Sequence, residues 1–349
     1  MPACARREIV REGAPGIFHC WTRCVRRAFL LGKDPLTGND YNHRRTWVED
    51  RLQLLVANFS IDVAFLGVMS NHLHLVLRTN PRLVQRMGDF EVARRWLRVY
   101  PGRRVLDGKW VEPTEKQVEA LVQEKDQIER IRRRLGNISW FMSALCEYIA
   151  RRANCDDGCD GRFFSGRFAC REVSSAGALL VCGIYVDLNQ IRAGEAATPE
   201  TSRHCSVWFR IQAQHGSRDK SQGKMDSWLA ALTLKAEHLG DVPSKSGFRA
   251  SDKGLLDISL HDYLRLLDWS GRQVRAGKRG AIPADLESIL KRLKIEPDEF
   301  LDTVDNFPRL FPRLAGKVEQ ILERAQAVNR RWLHGIGPAA SVFSAEQGD

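Results

Sequence analysis

The chain has 349 residues, is 43% hydrophobic, and carries 54 Lys and Arg against 43 Asp and Glu, a formal net charge of +11. That composition supports a real core in one large domain or two. No run of 18 or more apolar residues is present to cross a membrane, and Met1 to Gly13 has no apolar stretch resembling a secretory leader, so a cytoplasmic protein is expected.

The first predicted element is a strand in residues 15–31, leaving into a turn with the basic cluster Arg23, Arg26 and Arg27. His19 lies on that strand, where a buried, hydrogen-bonded histidine is the expectation. His43 to Phe59 reads as an amphipathic helix. Ile61 to Met69 is a strongly apolar strand, Ser70-Asn71 a turn signal, and His72 to Arg78 a second strand, so the two form a hairpin. Strand, helix, hairpin is the opening of a ferredoxin-like α+β fold. Pro81 to Val99 is an arginine-rich helix, residues 100–115 a loop, and Glu115 to Asn154 one long helix or two, with Tyr148 in the second part. A polar loop at Asp156 to Gly161 precedes a short strand over Phe163 to Val173 that carries Arg162, Arg167 and Arg171. Ser174-Ser175 caps a helix running to about Asp187. Asp187 and Asn189 then cap or brace the following turn. Residues 196–224 read as a linker, 225–335 as a small helical accessory domain, and 336–349 as a flexible tail.

The charge is uneven. Residues 1–172 hold 30 Lys and Arg against 21 Asp and Glu, whereas residues 173–349 hold 24 against 22. A basic half rich in arginine points to a polyanion, nucleic acid first, because guanidinium pairs with phosphate bidentately and stacks on bases. A merely basic surface is the alternative. The nine cysteines form no regular framework and are read as reduced thiols. Cys155 and Cys159, with Cys170 or the His204-Cys205 pair, fit no familiar zinc spacing.

His72 and His74 carry the sharpest chemical signal. A strand has a side-chain period of two, so both imidazoles share one face while Leu73, Leu75 and Leu77 share the other. Two imidazoles side by side suit a divalent metal; two solvated or satisfied histidines are the bland alternative.

Three blocks in this order resemble a known family: Asn71-His72-Leu73-His74-Leu75; Tyr148 followed by Gly161-Arg162-Phe163-Phe164-Ser165-Gly166-Arg167-Phe168; and Tyr185-Val186-Asp187-Leu188-Asn189-Gln190-Ile191-Arg192-Ala193-Gly194. Over roughly residues 10–195 the chain resembles the single-tyrosine HUH transposases of the IS200 type, above all the REP-associated tyrosine transposase branch. The resemblance implies an HUH catalytic domain: a ferredoxin-like antiparallel sheet with helices on one face, here with a C-terminal helical extension. It implies that His72 and His74 hold Mg2+ or Mn2+ and that Tyr148 attacks a phosphodiester of single-stranded, hairpin-forming DNA to give a 5′-phosphotyrosine, with Arg23, Arg26, Arg27, Arg162 and Arg167 on the DNA backbone. Free tyrosine, with a pKa of about 10, is a weak nucleophile, so a metal or base must stabilise the phenolate or the leaving charge. The resemblance further implies a homodimer and a bacterial, nucleoid-associated location. Family members commonly complete the metal site with a side-chain amide a turn beyond the tyrosine. Here that position is Arg152, leaving Asn154 or Glu147 as the candidate. A catalytically inactive, domesticated nucleic-acid-binding protein is the second reading, and a metal-dependent RNA nuclease using water the third.

Overall fold

The computed structural model describes residues 8–11, 13–102, 105–106, 109–215, 224–238, 240, 242–276 and 284–343. Strand β1 (Gly16–Arg23) leads through helix α1 (His43–Asn58) to the hairpin β2 (Ile61–Val68) and β3 (His72–Thr79). Helices α2 (Pro81–Gln85) and α3 (Asp89–Val99) follow, then a two-stranded ribbon, β4 (Val105–Leu106) with β5 (Lys109–Trp110), inside the expected loop. The long helical stretch is three helices: α4 (Glu115–Gln123), α5 (Lys125–Leu135) and α6 (Ile138–Asp156). Asn137 ends the continuity, because its side-chain oxygen caps the backbone N–H groups of Ser139 and Trp140. Strand β6 (Ala169–Val173) and helix α7 (Ala176–Asp187), capped by Ser175, complete the part that carries the recognised blocks.

The sheet order is β2-β3-β1-β6-β7. The first four strands pair antiparallel, with β1 between β3 and β6. Alternation assigns the faces. Phe18 and Cys20 of β1, Cys24 just after it, and Leu73, Leu75 and Leu77 of β3 enter one core with α1 and α6. Val76 of β3, with Phe65 of β2, enters a second core built on α7.

Two expectations are corrected. The sheet is mixed rather than purely antiparallel, and helices cover both faces. Both corrections come from the C-terminal chain, which supplies β7 (Leu314–Ala315), parallel to β6. It also supplies α12 (Pro297–Leu310), which packs on α7. The intended linker contains α9 (Ser206–His215), after the short α8 (Asn189–Arg192). Arg210 of α9 is buried and donates to the carbonyls of Ala64 (2.7 Å) and Ala230 (3.3 Å). The region 225–335 is therefore not a separate helical domain: α10 (Leu260–Ala276), α11 (Ala284–Arg292), α12 and α13 (Val318–Ala327) share the α7 core. Most of the described tail is helix α14 (Ile336–Val342), anchored by buried Ala339 and Val342. Residues 344–349 lie outside the described residues. No described helix is long and apolar enough to cross a membrane.

Candidate nucleic-acid and metal site

The hairpin turn places His72 at the first residue of β3, opposite Arg23 at the last of β1. The turn is closed by Met69 N–H donating to the His72 carbonyl (2.8 Å). Glu195 braces it: one carboxylate oxygen accepts from the Ser70 N–H (3.1 Å) and hydroxyl (2.8 Å), the other from Arg45 (2.8 Å).

His72 and His74 share a face as expected, with ring centroids 5.0 Å apart. That face is toward α7, not toward open solvent. His74 is 4% exposed and His19 fully buried. Their rings stack, with Nε2 of His19 2.8 Å from Nδ1 of His74. Tyr185 of α7 lies edge-on to both rings, and Phe307 of α12 closes the cage around His19. Arg171 of β6 stacks over Trp21 and donates to the carbonyls of Phe307 (3.2 Å) and Phe311 (2.6 Å). Burial, then the neighbouring charges of His72, Arg171 and Arg23, hold His74 well below the usual histidine range. Burial, then His74 and Arg171, do the same for His19. Burial lowers His72 to about 4, with Arg23 adding to the shift and Glu195 opposing it. All three rings are thus neutral at pH 7, the form that binds metal.

Nδ1 of His72 lies 2.6 Å from Oδ1 of Asn71. That acceptor fixes the proton on Nδ1 and leaves the Nε2 lone pair free, the arrangement a metal-binding imidazole needs. For His74 the same tautomer requires Nδ1–H to donate to His19. Neutral His19 must then carry its proton on Nδ1, which is buried without a partner. Two imidazoles therefore fit as two ligands of a divalent ion, with His19 and Asn71 setting their tautomers. No group of three or more His, Cys, Asp or Glu able to hold a metal occurs among the described residues. Water or substrate oxygens would have to complete the shell, and two nitrogens favour Mn2+ over Mg2+.

Tyr148 is not brought to this pair. It is half-buried on α6, which packs against α1 under the leucine face of the sheet, and the sheet stands between it and the histidines. Its hydroxyl accepts from Arg152 (2.8 Å), and Arg51 lies 4.9 Å from its ring centroid. Neither candidate third ligand joins the histidines. Asn154 donates to the Gly161 carbonyl (3.0 Å), closing the loop after α6, and Glu147 is exposed and pairs with Arg151 (2.5 Å). His43 starts α1 and pairs with Asp156 (3.1 Å). Asp187 is a buried acceptor for Ser206 and Tyr263, consistent with a bracing role.

The five arginines do converge. Val25 N–H donates to the Phe163 carbonyl (2.8 Å), and Ser165 N–H to the Arg23 carbonyl (2.9 Å). Cys24 N–H reaches Asn71 (2.8 Å), and the Asn71 amide reaches the Arg27 carbonyl (3.3 Å). These bonds gather residues 23–27, 71–72 and 161–167 at one end of the sheet. Arg23, Arg26, Arg27, Arg162 and Arg167 are all exposed there, and none makes an ion pair among the described residues. Elsewhere Arg44, Arg45, Arg78, Arg94, Arg95, Arg98 and Arg132 all have acidic partners. Arg26 and Arg27 both hold left-handed backbone (φ 53° and 58°), uncommon without glycine and here held by the surrounding bonds.

Sequence reasoning missed Asn71, Tyr185, Glu195 and the coupling of His19 to His74. Asn71 and Tyr185 lie within blocks already singled out and Glu195 one residue beyond the third, but their roles, like the His19 contact, depend on strand register and helix placement. The sequence matches no protein-family model, and comparison with curated proteins and with solved structures finds no significant similarity.

Proposed function

We propose that this chain binds and processes single-stranded, hairpin-forming DNA in the manner of a single-tyrosine HUH transposase. The observation that carries the reading is the cluster of five exposed arginines, none ion-paired among the described residues, on segments hydrogen-bonded to one another beside His72. Unpaired guanidinium groups at one edge neutralise successive phosphates, and a neutral, tautomer-fixed imidazole beside them is ready for a metal. The β1-α1-β2-β3-α6-β6 succession with strand order β2-β3-β1-β6 agrees with a ferredoxin-like core. A divalent ion on His72 and His74 would supply Lewis-acid stabilisation of a phosphodiester. The arginines orient the strand. Because Tyr148 lies across the sheet from the histidines of its own chain, the complete centre takes His72 and His74 from one copy and Tyr148 from a second.

The test is a denaturing gel after incubation with hairpin-tipped oligonucleotides and Mn2+. A covalent protein–DNA band is expected from the unaltered chain. Tyr148→Phe and His74→Ala should each abolish it, and mixing the two variants should restore it. No restoration on mixing although the unaltered chain forms the adduct, or an adduct formed by Tyr148→Phe, overturns the assignment. A second reading, a catalytically inactive nucleic-acid-binding protein, is favoured by Arg152, which holds the Tyr148 hydroxyl at the position where the family places a ligating amide. It predicts salt-sensitive binding of the same oligonucleotides and no adduct in any mixture.

A further inference from the structure

Between α6 and the 161–168 loop lies a groove of about 520 Å3. Its floor is apolar, made by Met142, Phe164 and Phe168, with Trp140 at one wall and Arg162 and Arg167 at the rim; Glu147, paired with Arg151, also lines it. Tyr148 does not line it. The loop that forms its second wall is the one bonded to residues 23–25, so the groove continues the arginine cluster around the edge of the sheet. An apolar slot beneath guanidinium groups that make no ion pair among the described residues matches a flat, uncharged ring attached to phosphate.

We propose that this groove is a nucleobase site. It takes one unpaired base of a single-stranded nucleic acid, stacked over the Met142–Phe164–Phe168 floor, with the flanking phosphates on Arg162 and Arg167. A purely electrostatic surface would need no apolar floor. The site selects single strands, since a base held in a duplex cannot enter. The inference rests on the nucleic-acid reading above and adds to it a demand for bases, not only phosphates.

The experiment compares a fluorescein-labelled oligothymidylate with a chain of equal length made of abasic spacers, by anisotropy. The unaltered protein should bind the strand with bases about tenfold more tightly, the scale of one stacked base. Ser143→Trp fills the groove from an exposed position on α6. Gly166→Trp fills it from the loop, where an added Cβ meets nothing within 4 Å. Either variant that melts like the unaltered protein should lose the preference for bases while binding the abasic chain unchanged. Equal affinity of the unaltered protein for both strands, or a preference kept in a folded groove-filled variant, overturns the base site and leaves phosphate-driven binding standing. Binding of neither strand overturns both.

Discussion

The His19–His74 contact joins two ionisable groups in a space that favours neither charge. One proton lies between Nε2 of His19 and Nδ1 of His74. When His19 donates it, the His19 Nδ1 left behind is an unsatisfied acceptor; when His74 donates it, His19 keeps an unsatisfied N–H. An orphaned buried donor or acceptor costs about 1–3 kcal/mol, so neither tautomer is fully satisfied, and an ion on Nε2 of His74 would select the one in which His74 donates. The same burial fixes the pH response. In the unfolded chain these histidines protonate near pH 6.5. In the folded chain His72 does so only at about 4, and His19 and His74 are held well below their ordinary value. Between those limits the unfolded state binds more protons, so stability is lost as pH falls below about 6.5, by up to about 1.4 kcal/mol per pH unit for each ring. Burial raises Asp50, Glu172 and Asp187, which act in the opposite sense as pH falls through the carboxylate range. The upper part of the window therefore belongs to the histidines. Urea midpoints should fall steadily from pH 7 to pH 5, and His74→Gln should flatten the slope by about one ring's share. A flat profile in the unaltered chain would mean that the rings are not held neutral.

At the scale of elements, close packing of α7 on β2 decides which face is which. Gly183 of α7 lies where a Cβ would come within 2.6 Å of the Phe65 ring. Phe65 is fully buried and also meets Tyr263 at 5.8 Å between centroids, so it has no room to retreat. Gly183→Ala should cost about 1–3 kcal/mol through overpacking, against the small gain that alanine gives in a helix. A thermal melt unchanged or raised would show that the contact is looser than described. Much of this layer was legible. The alternation of His72 and His74 with Leu73, Leu75 and Leu77 predicted β3 and its two faces, and the apolar run from Ala176 predicted α7. The separation of Tyr148 from the histidines was legible too. In a strand-helix-hairpin-helix-strand unit both crossing helices pack on the leucine face, so a tyrosine on α6 cannot share the histidine face. What the sequence did not disclose was the cover on that second face, because β7 is two residues long and α12 carries a proline, Pro308, inside it.

For the whole molecule, the C-terminal half is part of the sheet's packing. Asp62 at the sheet edge is buried and accepts from Arg78 (2.8 Å), Asn80 (2.9 Å) and the Ser251 N–H (2.9 Å) and hydroxyl (2.8 Å). Arg78 in turn donates to the carbonyls of Lys253 (2.6 Å) and Gly254 (2.8 Å). On α7, Asp187 accepts from Tyr263 (2.6 Å) and Ser206 (2.5 Å). Asp62 draws Ser251 and Asp187 draws Tyr263 from beyond residue 224, so each becomes an under-satisfied buried group if that part of the chain is removed. Leaving a buried acceptor short of a partner costs about 1–3 kcal/mol, more for a charged one, and total stabilities are only about 5–15 kcal/mol. Removal would also uncover Phe65, Val76 and the length of α7, whose apolar partners are α10 to α13. A fragment of residues 1–224, which holds every recognised block, should therefore fail to melt cooperatively and should expose apolar surface to a hydrophobic dye. A fragment that unfolds in one sharp transition and still binds oligonucleotides would mean that the sheet is self-sufficient, and that the C-terminal half covers a face the fold does not need covered.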